Sequence, residues 1–253
     1  MCKWKFILCI SLFLSACAIE KERLYESSAE QFRVDLVHVK EISDKLQKNS
    51  HFKNKIKDKE LTKYVNNLAV NLAADNDILL ALDVNVFLVD DVGEKNLYNA
   101  AFPDGHLYLS NTILSKLSYE NEVAAFIAIQ FGHILNRSFV RKASFEDEQT
   151  TDSDQMINNY FHYTEDQMQA TIDEAILILY QKGYDPRGIG GFFKEYLVQN
   201  DKVKYPKEVI QNWINYTYLR IATYPPLINP VITTKEFTDI KKKLKNYKGK
   251  NLG

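Results

Sequence analysis

The sequence predicts an α+β protein built mainly of helices, and three observations carry that. Glycine and proline are scarce, 9 and 6 in 253 residues, which argues against a turn-rich all-β chain. Apolar residues recur at helical spacing along most of the chain. One segment, residues 82–89, instead alternates as Leu82, Val84, Val86 and Leu88, the pattern of a strand. The composition is ordinary for a globular protein, with 45% hydrophobic and 26% charged residues. It excludes disordered, collagen-like and polytopic membrane chains. A net charge of −1 from 32 basic and 33 acidic residues gives no basic field, so no nucleic-acid partner is expected.

Taken in order, Leu36, Val39, Ile42 and Leu46 predict a first helix. Leu61, Tyr64, Val65, Leu68 and Leu72 place a second over residues 59–74. The alternating strand ends at Asp90-Asp91, Pro103-Asp104-Gly105 is a turn, and residues 106–110 read as a second strand. Ser118 is placed to cap a helix running to about Asn136, with Glu120 and Glu122 in its first turn. Val123, Phe126, Ile127, Ile129, Phe131, Ile134 and Leu135 make that helix apolar nearly all round, hence central. Residues 138–163 are polar, with Glu146-Asp147-Glu148, and read as a loop. Met168, Ile172, Ala175, Ile176 and Leu179 predict a helix stopping at Gly183. Asp185 with Pro186 opens the next, which buries Ile189, Phe192, Phe193 and Tyr196. Two more helices are expected over residues 207–222 and 235–245. The Lys241-Lys242-Lys243-Leu244-Lys245 tail reads as a solvated helix end.

The first seventeen residues hold all three cysteines. Residues 1–16 read as a secretory leader, with Lys3 and Lys5 before a short apolar run too brief to span a bilayer. Leu14-Ser15-Ala16-Cys17 resembles the lipobox of bacterial lipoproteins, which implies cleavage before Cys17 and acylation of its sulfur. Ala18, rather than Asp, after that cysteine resembles an outer-membrane sorting signal. Cys2 and Cys9 leave with the leader, so the mature body holds no cysteine to form a disulfide, act as a nucleophile or ligate zinc.

Five segments resemble one family in order. Residues 61–72 resemble its first helix. Asp90-Asp91 followed by Asn99-Ala100-Ala101-Phe102-Pro103-Asp104-Gly105 resembles its edge hairpin. Residues 122–133 resemble its active-site helix, with Glu122, Ala124, Ala125 and Gly132 matching. Gly183-Tyr184-Asp185-Pro186 resembles the turn after its third-ligand helix, and Thr223-Tyr224-Pro225-Pro226 its late Thr-His-Pro-Pro. The family is the HtpX/BepA-type zinc metalloendopeptidases, metallopeptidase family forty-eight. The resemblance implies a zincin-like fold, with a small sheet and edge hairpin beside the active-site helix. It divides the chain into a leader over 1–16, a lipidated tether over 17–28 and one peptidase-like domain over 29–253.

The family's H-E-x-x-H helix sets two zinc-binding histidines one turn apart, with the glutamate as general base. Laid on this chain, those positions fall on Ile129, Gln130 and His133. Isoleucine binds no metal, and an amide takes up no proton near neutral pH. The third ligand falls on Ala170 and the late histidine on Tyr224. Zinc catalysis needs three protein ligands, and only His133 remains. No cofactor is therefore expected, and His133 reads as a core histidine bonded to a neighbour such as Tyr224. The expected function is that of an envelope lipoprotein on the periplasmic face of the outer membrane. Its peptidase-like cleft would hold unfolded or outer-membrane protein clients along the strand edge at Leu107 and Leu109. The alternative is an active zinc enzyme with His133 and two of His106, His162, Asp173, Glu174 or a loop carboxylate as ligands.

Overall fold

The computed structural model describes residues 37–91, 99–143, 153–198 and 205–246. The leader, Cys17, the tether and the 146–148 acidic run lie outside the described residues. What is described is mainly helical with one three-stranded sheet, an α+β architecture.

The N-terminal part is a helical layer on the sheet. A helix over residues 37–47 (α1) buries Val39, Ile42 and Leu46, and a short turn of helix, Ser50–Lys53 (α2), buries Phe52. Helix α3 (Lys59–Ala73) is capped by Asp58, whose Oδ1 accepts from the N–H groups of Glu60 and Leu61. Its expected apolar face is the buried one. After α4 (Asp77–Leu80) comes β1 (Asn85–Val89), three residues shorter at its start than the alternation suggests. Turn bonds from Leu82 N–H to Leu79 O and from Val84 N–H to Leu82 O hold that stretch out of the ladder.

Strands β2 (Ala100–Ala101) and β3 (His106–Ser110) flank the Pro103-Asp104-Gly105 turn, with Gly105 at φ +89. The sheet order is β1-β3-β2, with β1 parallel and β2 antiparallel to β3. This corrects the expected peptide-binding edge. Leu107 and Leu109 belong to the central strand and both are 0% exposed. The outer edge of β1 is itself covered. The Asn66 side chain bonds both backbone groups of Val86, and residues 54–56 bond Leu88 and Asp90. Such cover satisfies edge groups that would otherwise recruit another chain.

After the short α5 (Asn111–Lys116), helix α6 (Glu120–Leu135) runs through the middle of the molecule, and every residue from Val123 to His133 is buried. Its cap position is Tyr119, one residue past the expected Ser118. Ser118 does not cap with its side chain; the Glu122 carboxylate reaches back to accept from the N–H groups of Ser118 and Tyr119. The stretch read as a loop contains two helices, α7 (Ser138–Ala143) and α8 (Ser153–Tyr160). Phe139, Ala143, Ile157 and Tyr160, scattered among polar residues, are the buried contacts that order them.

Helix α9 (Glu165–Gln181) starts from a Thr164 cap and stops at Gly183, φ +71. It packs against α6 so closely that a Cβ on Gly132 would meet the Thr171 carbonyl oxygen at 2.6 Å. Helix α10 (Gly188–Val198) begins later than Asp185-Pro186 suggests, because those residues form a turn, with Gly188 N–H bonded to Asp185 O. Ile189, Phe192 and Phe193 are buried as expected, and the Phe192 ring stacks on Phe126 at 4.6 Å. The Tyr196 side chain lies outside the described residues. Helices α11 (Lys207–Ile221) and α12 (Lys235–Asn246) follow. Helix α12 inserts Phe237, Ile240 and Leu244 against α3 and α5. Its Lys241 ammonium caps the free carbonyls of Ser115 and Leu117. No described helix is long and apolar enough to cross a membrane.

Candidate functional site

Two regions of α6 hold polar side chains inside the core. Ile129, Gln130 and His133 lie on its C-terminal half, at 2%, 3% and 3% exposure. Burial makes an isoleucine welcome at such a position and worth about 1.5–3 kcal/mol. Ile129 therefore acts as packing where the resemblance places a ligand. Gln130 offers only an amide there.

His133 is fixed by three neighbours. The Thr171 hydroxyl of α9 lies 3.1 Å from its Nδ1 and the Ser138 hydroxyl 3.4 Å away. The Tyr163 ring stacks on the imidazole, centroids 3.6 Å apart and planes 16° from parallel. Tyr163 is held over it because Thr164 caps α9 immediately afterwards, with Gln167 closing a capping box. Complete burial, with a contribution from the nearby Lys142 charge, lowers the His133 pKa to about 3. The imidazole is thus neutral at physiological pH. Tyr224, the expected partner, is elsewhere. Its ring packs 5.4 Å from that of Tyr180 on α9. Tyr180 is two and a half turns beyond Thr171, about 14 Å along the helix.

The remaining candidates do not converge on His133. Ala170 is exposed. His106 Nδ1 faces Gln47 Oε1 at 2.9 Å and Asp104 Oδ2 at 3.0 Å. His162 is exposed and stacks on Tyr205. Asp173 accepts from Arg220 at 2.7 Å and from Tyr216 at 3.1 Å. Among the described residues no three His, Cys, Asp or Glu side chains cluster as a metal cage. Among the described residues neither a carboxylate nor a second imidazole bonds His133. A catalytic zinc needs three ligands at about 2 Å, and the residues at this place do not fit one.

The second polar region, at the N-terminus of α6, was not singled out by spacing. Glu120 is 4% exposed and accepts from the hydroxyls of Tyr64, at 3.1 Å, and Tyr184, at 3.4 Å. Burial and the adjacent carboxylate push both tyrosines far above their ordinary pKa. Next to it Asn121 donates to Asp185 O, tying α6 to the turn before α10. The Glu120 position looked like a first-turn acid suited to a helix dipole. Only the tertiary approach of two tyrosines from distant segments makes it an interior group. Compared with known proteins, the chain matches no family model and no curated relative.

Proposed function

We propose that this chain is a lipid-anchored envelope lipoprotein whose peptidase-like domain binds polypeptide clients without cutting them, as a pseudopeptidase in protein quality control or assembly at the outer membrane. The observation that carries the reading is the state of His133. It is the one ligand-type residue at the matched positions, and its Nδ1 lies against two hydroxyls under a stacked tyrosine. Ile129 and Gln130 beside it supply neither a second ligand nor a base. The β2–β3 hairpin in the sheet beside α6 supports the zincin-like reading of the frame. Leu107 and Leu109 are buried, so on this reading clients would be held by surfaces other than the central strand.

Metal analysis of the purified full chain tests the non-catalytic half. Zinc far below one atom per chain is expected; stoichiometric zinc that vanishes in His133→Ala would overturn it. Light scattering tests the client half. Suppressed aggregation of an unfolded outer-membrane β-barrel protein is expected, and aggregation at the unassisted rate would reduce the protein to a structural role.

A further inference from the structure

We propose that the pocket between the C-terminal ends of α9 and α11 is a binding site for an extended, proline-bearing peptide. The site lies at the end of the α6–α9 pair away from His133, and the inference does not rest on the reading of that residue. The cavity measures about 340 Å³, within the range of ligand sites, roughly 300–1,000 Å³. Its walls are the rings of Tyr180 and Tyr224, inclined 46° to each other, and Pro225, Pro226 and Leu227, with Arg187 at the rim.

The walls are set before any ligand arrives. The Tyr180 hydroxyl donates to Pro225 O at 2.8 Å, and Tyr224 N–H to Ile221 O at 3.0 Å. At the far end of the loop Val231 N–H bonds Gly183 O and Asp185 N–H bonds Val231 O, at 2.8 and 3.0 Å. Proline rings fix φ between these ties, and Asn229, at φ +53, turns the chain back. A pinned wall loses little entropy on binding.

The chemistry of the lining selects the occupant. Two inclined aromatic faces beside prolines form a notch for another flat, rigid ring, as in the aromatic grooves that take polyproline II segments. The Asp185 carboxylate is already neutralised by Arg187, through Nε at 2.9 Å and Nη2 at 2.5 Å. Burial pushes that carboxyl up, yet its bonds to the Arg187 side chain and N–H outweigh this and hold it below its ordinary pKa. The rim offers donors. Arg187 Nη1 and the Tyr224 hydroxyl have no hydrogen-bond partner among the described residues, and the Arg187 side chain is 64% exposed. A polyproline II backbone presents carbonyl acceptors, no internal hydrogen bonds and few N–H groups, so its electrostatics complement this rim. Ile228, next to Leu227 and 92% exposed, offers a further apolar contact.

The test titrates the full chain into a fluorescein-labelled nonapeptide of three Pro-Pro-Leu repeats, with a glycine–serine nonapeptide as control, read by anisotropy. Vesicles of phosphatidylethanolamine and phosphatidylglycerol form a separate arm. Saturable binding of the proline peptide alone is expected, weakened about tenfold or more by Tyr224→Ala, a typical loss for an aromatic anchor, and severalfold by Arg187→Gln. Arg187 sits on the surface, so its variant keeps the test valid if Tyr224→Ala fails to fold. His133→Ala should leave binding unchanged. The proposal fails if the control peptide binds equally, if neither peptide binds, or if both pocket variants bind as the parent does. It also fails if only vesicles bind and Ile228→Asp abolishes that, which would assign the face to a membrane. A zinc-loaded protein that still binds the proline peptide here would sink the non-catalytic reading and leave this one standing.

Discussion

The two ends of the α6–α9 pair use similar residues to opposite effect. At the His133 end, an imidazole, two hydroxyls and a tyrosine ring are packed against one another, and Gly132 lets the helices touch at their backbones. At the Tyr224 end, tyrosines and an arginine stand around a cavity, with donors left facing outward. The first arrangement turns the His133 Nδ1 onto two hydroxyls and closes a tyrosine ring over the imidazole. The second leaves the Arg187 side chain largely exposed beside a cavity. How closely the neighbours pack, more than which residue types are present, separates the two ends.

The sharpest way to break this contrast is to force the closed end apart. Gly132→Ala sets a methyl against the Thr171 backbone oxygen, and overpacking of that kind costs about 1–3 kcal/mol. Calorimetry should show a melting temperature lower by about 3–10 °C, with the open end's peptide affinity unchanged wherever the protein remains folded. Acid offers a gentler probe. His133 has a folded pKa of about 3, below its ordinary value of 6.5. Its contribution is complete above pH 6.5 and is lost as the pH falls toward 3, because the unfolded chain takes the proton first. Urea titrations should show this residue contributing up to about 1.4 kcal/mol of lost stability per pH unit in that window, and His133→Phe should flatten the slope. Smallest are the changes at the open end. Ile228→Ser, at a side chain 92% exposed, should shift stability by less than about 0.5 kcal/mol in the same titrations. A larger shift would mean that the loop is part of the core and the contrast is misdrawn.

Regular helices were legible because their apolar faces repeat. Leu61, Tyr64, Val65, Leu68 and Leu72 mark α3, and Met168, Ile172, Ala175, Ile176 and Leu179 mark α9, and all are buried. Short helices whose buried residues are few and aromatic were not, as α7 and α8 show: Phe139 of one packs on Tyr160 of the other. Strand order was beyond reach as well. Residues 106–110 read as a strand after the turn, but only pairing with both β1 and β2 makes it the central one. At the candidate site, the inability of Ile129 and Gln130 to do metal chemistry was readable from residue type alone. The Thr171, Ser138 and Tyr163 surroundings of His133 were not, because three separate segments meet there. The Thr164-Glu165-Asp166-Gln167 capping box was the available signal that would have placed Tyr163 at a helix entrance. The repeated prolines after Tyr224 were the corresponding signal for the pocket.

The docking of α12 has a consequence in time. Phe237 packs near Tyr64, and Lys241 caps carbonyls at the end of α5, so the last helix covers surface belonging to some of the first. A chain emerging N-terminus first holds that apolar surface of α3 uncovered until α12 has been made. Contacts of such long sequence separation form late and slow the search for the native state. Removing α12 should therefore leave a chain that collapses but stays prone to aggregate, with the rest of the sequence intact.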